Sequence, residues 1–174
     1  MQHDRAIIRL EGYQEQIRRI IGQALPVVRD GDPSQCMSLA SARWQLLRVL
    51  REYQLFKHTE IFDPIIGHGP GLKASAAALL KKRCVELADE HHRYVQRWSL
   101  EGLGTAWPQY RSEALVMADR IEQHLRQEMR DVRALLSGLY RTRQAEAAGA
   151  SASRACPATA IRTAGVVEAR PRPL

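Results

Sequence analysis

The sequence predicts an all-α protein: an up-down-up-down four-helix bundle followed by a disordered C-terminal tail. Three observations point there. Apolar residues recur at steps of three and four along four long stretches, the spacing of one helix face. Proline- and glycine-containing turn signals separate those stretches. No segment alternates with period two for long enough to make a strand. Amphipathic helices joined by short connections bury their apolar faces against one another as a bundle. The bundle is expected over residues 1–140 and the tail over 141–174.

The first helix is expected over 4–25, where Ile7, Leu10, Tyr13, Ile17, Ile20, Ile21 and Ala24 share one face. Pro26 is expected to end it, and Asp30-Gly31-Asp32-Pro33-Ser34 to form a loop. The second helix starts near Ser38 or Ser41 and reaches Phe62, with Leu47, Leu50, Gln54 and Ile61 on its stripe and His58 on the flank. Asp63-Pro64 is the stop signal, and Gly67-His68-Gly69-Pro70-Gly71 a turn. The third helix, 72–98, carries Ala77, Leu80, Cys84, Leu87, His91, Tyr94, Val95 and Trp98 on its stripe. Gly102 and Gly104 mark the next turn. Trp107-Pro108 opens the fourth helix, because proline suits a first helical turn. Its stripe is Met117, Ile121, Leu125, Glu128, Val132, Leu135 and Leu139, ending near Tyr140. Beyond Arg141 the chain turns to Ala, Ser, Thr, Arg and Pro, with few large apolar residues to offset the entropy of ordering.

The chain has 174 residues and 26 Lys+Arg against 19 Asp+Glu, a net charge of +7. From Arg141 onward the net charge is +4, and the bundle segment carries +3. Diffuse charge of this kind bears on solubility and weak attraction to anions, not on fold. The longest uncharged apolar stretch near a helix, 74–80, is far shorter than the roughly 20 residues of a membrane span. The opening residues lead into no long apolar run, so no secretory signal is expected. Cys36, Cys84 and Cys156 are widely spaced and form neither a disulfide framework nor a CxxC motif. A cytoplasmic location is the default expectation.

The polar residues on the apolar stripes carry the chemistry. With Ile121 at zero, Val132 falls at about +20°, Leu135 at about −40° and Glu128 at about −20° around the helix axis. Glu128 therefore sits in the middle of the apolar face, with His124 one turn before it near the edge. A buried carboxylate has to be protonated, ion-paired or bound to a cation. His124 and Glu128, four apart, can reach one metal ion, and imidazole plus carboxylate suits iron, zinc or manganese. The competing reading is a boundary histidine and a glutamate paired with Arg120, Arg126 or Arg130. His91 lies near the centre of the third stripe, between Cys84 and Trp98; His92 is about 100° away and is expected to face outward. Gln54 and His58 stand four apart on the second helix. The first helix offers only Tyr13 and Gln14.

Two segments give a resemblance to a known family. Leu46-Leu47-Arg48-Val49-Leu50 leads to Ile61-Phe62-Asp63-Pro64-Ile65, and Trp98 and Trp107-Pro108-Gln109-Tyr110 lead to Ile121 and His124-Leu125-Arg126-Gln127-Glu128. Over residues 4–140 the chain resembles a hemerythrin-like (HHE cation-binding) domain. The resemblance implies a four-helix bundle around a non-haem di-iron centre used in oxygen or redox sensing, carriage or storage, with His124 and Glu128 as ligands. The departures are specific. Where the family's second helix carries its own HxxxE, this chain has Gln54 and His58, and the first-helix histidine is absent. The third-helix position stays open between His91, Cys84 and His92. Counting along the helices puts Cys84 level with Glu128, His91 about 4–5 Å beyond the level of His124, and His58 about 10 Å below Glu128.

The expected function is thus a hemerythrin-like domain with an incomplete metal site. Its candidate ligands are His124, Glu128, His91 and His58, its cofactor non-haem iron as a single ion or none, and its partner a gas such as oxygen or nitric oxide. The alternative is a metal-free helical bundle acting as a protein-interaction or regulatory module. Nucleic-acid binding ranks last, because Lys81-Lys82-Arg83 reads as a solvated helical face and no recognition motif accompanies it. No phosphate loop or hydrolase motif is present, so no enzyme is expected. If Glu128 is buried without metal, Glu128→Leu is expected to be neutral or stabilising.

Overall fold

A computed structural model of the chain describes residues 2–31, 33–100 and 106–137. Every regular element among them is helical: α1 (Gln2–Asp30), a 3-10 turn (Pro33–Gln35), α2 (Cys36–Lys57), a π turn (His58–Phe62), α3 (Asp63–His68), α4 (Gly71–Leu100) and α5 (Trp107–Ser137). The π turn joins α2 to α3 without a break, so the described residues form four long helical rods. No described helix is long and apolar enough to cross a membrane. The expected tail, with Leu139 and Tyr140, lies outside the described residues.

α1 packs on α2 and α5, and α4 packs on the same two helices. Surface pairs mark the alignment. Arg9 meets Glu60, whereas Gln14, further along α1, meets Tyr53, earlier in α2. Across α4 and α5, Arg83 faces Asp131, Glu90 faces Arg120 and Arg97 faces Glu113. The core divides into a large aliphatic cluster built on Leu10, Ile17, Val49, Phe56, Leu80, Ile121 and Val132, and an aromatic cluster of Val28, Leu39, Trp98, Trp107 and Tyr110. The expected stripes of the first, third and fourth helices supply most of the aliphatic cluster, but only Trp98 of the aromatic one.

Three expectations need correction. Pro26 does not end α1, which continues to Asp30. The carbonyl that Pro26 leaves unpaired belongs to Gly22, and both residues are exposed, so water can satisfy it. Val28, buried in the aromatic cluster, anchors the last turn. The chain turns only at Gly31, whose φ of 74° favours glycine. Second, Asp63-Pro64 does not stop the second helix. The Asp63 N–H bonds to the carbonyl of His58, five residues back, and this wider turn places Pro64 in the first turn of α3, where no donor is required. It also buries the neighbours Ile61 and Phe62 together. Third, the expected stripe of the second helix holds only in part: Leu47 and Ile61 are buried, but Leu50 and Gln54 are half-buried, and Val49, Tyr53, Phe56 and Lys57 are buried in their place.

Candidate functional site

Glu128 is buried at 3% exposure in the middle of the α5 apolar face. Its carboxylate is fully engaged. The Lys57 ammonium donates to Oε1 at 2.5 Å, and the Tyr53 hydroxyl donates to Oε2 at 2.6 Å. His124 Nε2 stands 3.3 Å from Oε1. Both donors from α2 come from its last turn and a half, four residues apart, which also sets Lys57 Nζ 3.9 Å from the centre of the Tyr53 ring. Gln14 of α1 closes the network by donating to the Tyr53 oxygen at 2.9 Å and to the Leu125 carbonyl at 3.0 Å. Arg18 donates to Gln14 Oε1 at 3.1 Å and so links the network to the surface.

The electrostatics follow from these contacts. Burial disfavours the Glu128 charge, but the Lys57 ammonium and His124 outweigh it and hold the carboxyl down at about 2. Burial also works against a charged His124, yet its contacts with Cys84 and Glu128 prevail and lift it to about 9. Burial, then the neighbouring Glu128 charge, push the Tyr53 hydroxyl well up, so it keeps its proton and remains a donor. Near neutral pH one buried carboxylate therefore sits between two cations and a phenol. The arginines offered as its partners are engaged elsewhere: Arg120 with Glu90, Arg126 with Glu122, Arg130 with Gln127.

Among the described residues, Cys84, His124 and Glu128 form a group whose ligand atoms all lie within 4.8 Å of one another. Of the third-helix candidates it is Cys84, level with Glu128, that joins this group. His91 is fully buried elsewhere in the core, with neither ring nitrogen hydrogen-bonded; burial, then His92, bring it down to about 4. His92 is half-buried rather than outward-facing, and its Nδ1 has no partner. His58 is half-buried beside Phe62, its ring centre 6.0 Å away, and burial and the charges of Lys81 and Lys57 lower it. Gln54 lies with His91 and His92 on a separate cleft.

The donor set does not fit the two-metal centre implied by the resemblance. Cys84, His124 and Glu128 are three donors, and the carboxylate among them already holds an ammonium at hydrogen-bond distance. A metal bound there, with donors at about 2.0–2.3 Å, would have to displace Lys57 from Oε1. Lys57 and Tyr53 are the residues that sequence reasoning missed. The available signal was the 49–53–56 spacing of Val49, Tyr53 and Phe56, which defines a second apolar stripe on α2 with Lys57 at its edge.

No family model, curated protein or solved structure matches the chain.

Proposed function

We propose that the chain is a hemerythrin-like, up-down-up-down four-helix bundle whose central cation is the Lys57 ammonium, and that it serves as a metal-free binding or regulatory module. The observation that carries this reading is the Lys57–Glu128 pair, 2.5 Å apart with both side chains buried. The ammonium supplies the charge compensation that a metal would give the carboxylate, and Tyr53 and Gln14 complete the hydrogen bonding. The order of cross-helix pairs supports the topology, since partners rise along one helix as they fall along its neighbour. Met37, Trp44 and Leu55 are exposed and spaced to share one face of α2, the kind of surface an interaction module carries.

A second reading keeps a single metal at Cys84, His124 and Glu128, with non-haem iron as the ion and oxygen or nitric oxide as its ligand. The proximity of the three donor atoms favours it. Metal analysis of protein freshly purified from iron-replete, anaerobic cells separates the two. The metal-free reading expects iron far below stoichiometry in the parent chain. About one iron per chain, lost in Glu128→Ala, would overturn it.

A further inference from the structure

Away from the Lys57–Glu128 network, α1, α2, α4 and α5 line a second feature, a partly open cavity. Ile20, Ile21, Leu46, Met117 and Ile121 wall a cavity of about 60 Å³ open to the centre of a water-sized sphere. That is room for several waters or for a small organic molecule. Four side chains with polar atoms interrupt the apolar wall, Arg43, His91, Tyr94 and Tyr110, and two of them, Arg43 and His91, have unmade bonds. Arg43 is buried; it donates to the Tyr110 hydroxyl at 3.2 Å and to the Trp98 carbonyl at 3.1 Å, while its Nε has no partner. It makes no ion pair with any described carboxylate. His91, on the same wall, leaves both ring nitrogens unpaired.

A buried guanidinium without a counter-charge is costly, and so is a buried imidazole without a partner. One anionic group would serve both residues, because a carboxylate accepts from a guanidinium and from the single N–H of a neutral imidazole; the other ring nitrogen is an acceptor and is left to water. The remainder of the lining asks for an apolar body. A single guanidinium balances one negative charge, which selects a monocarboxylate over a phosphate dianion. We propose that this cavity is a binding site for a small apolar monocarboxylate, with its head on Arg43 and His91 and its body among Ile20, Met117 and Ile121. The residues are distinct from those at Glu128, so the proposal stands whether or not metal binds there.

The test is calorimetric titration of the full chain with hexanoate, and with hexanol as a neutral match for its body, alongside NMR of the His91 ring nitrogens. Saturable hexanoate binding that shifts the His91 resonances is expected, with hexanol weaker by roughly 10- to 100-fold. Arg43→Gln should erase that preference. Because Arg43 also holds Tyr110 and Trp98, Ala118→Leu serves as a second variant; Ala118 lines the cavity and has no side-chain polar atom, so the added bulk should abolish binding while Arg43 is kept. No saturable binding, equal binding of the two compounds, or hexanoate binding that survives Ala118→Leu would overturn the proposal.

Discussion

Glu128 and Lys57 depend on each other, and this reverses what Glu128 alone suggests. A lone buried carboxylate could be replaced by leucine at no cost. Here Glu128→Leu strands a buried ammonium, so it should destabilise the fold by about 3–5 kcal/mol, as should Lys57→Met. The double variant removes both charges and should recover most of that loss; chemical denaturation of all three proteins reads the difference. The pH dependence has two limbs. Glu128 titrates lower in the folded chain, so its contribution is complete above the unfolded value of 4.5 and disappears as pH falls toward 2. His91, a base held neutral by burial, adds to the acid limb between 6.5 and about 4. His124 titrates higher when folded, so its contribution is complete below 6.5 and is lost as pH rises toward 9. Stability measured against pH should decline on both flanks, and His124→Gln should flatten the alkaline one. An unchanged alkaline limb in that variant would show that His124 is not the group responsible. Glu128 and His124 were legible from their angles on α5. Lys57 was not, since a lysine beside a helix stripe ordinarily lies in water, and only an opposing carboxylate makes its burial tolerable.

Helix ends were the least legible elements, and both misplaced ends involve proline. A proline within a helix costs one hydrogen bond and some steric strain, but it ends the helix only when packing cannot offset that. In α1 the affected carbonyl faces water and the following turn is tied down by Val28. Pro26→Ala should therefore restore the missing bond and stabilise the protein by roughly 1–3 kcal/mol, as read by the urea midpoint. An unchanged or lower midpoint would show that the proline ring itself contributes packing. At Pro64 the fold uses a π turn, a register change that periodicity at 3.6 cannot signal. Gly31 is a conformational requirement of a different kind. An added Cβ would meet only Trp107 Nε1 at an ordinary 3.6 Å, so Gly31→Ala should cost about 1–2 kcal/mol from its positive φ alone.

At the scale of the molecule, the two core clusters are built from residues of the described helices. A chain ending at Tyr140 should melt at the same temperature as the full one, and a large drop would place residues 141–174 in the core. The metal-free reading adds that a strong chelator should leave the melting temperature unchanged, because the charge holding Glu128 is covalently part of α2. Helix number, helix class and most of the buried residues follow from local spacing, because a helix repeats its face at a fixed angle and apolar side chains must leave water. Which charge answers Glu128, which of His91 and Cys84 stands beside it, and where a buried arginine is left facing a cavity follow only from the packing of four helices. They depend on rotation and depth between segments far apart in the chain, and an error of one residue in a stripe turns a helix by about 100°.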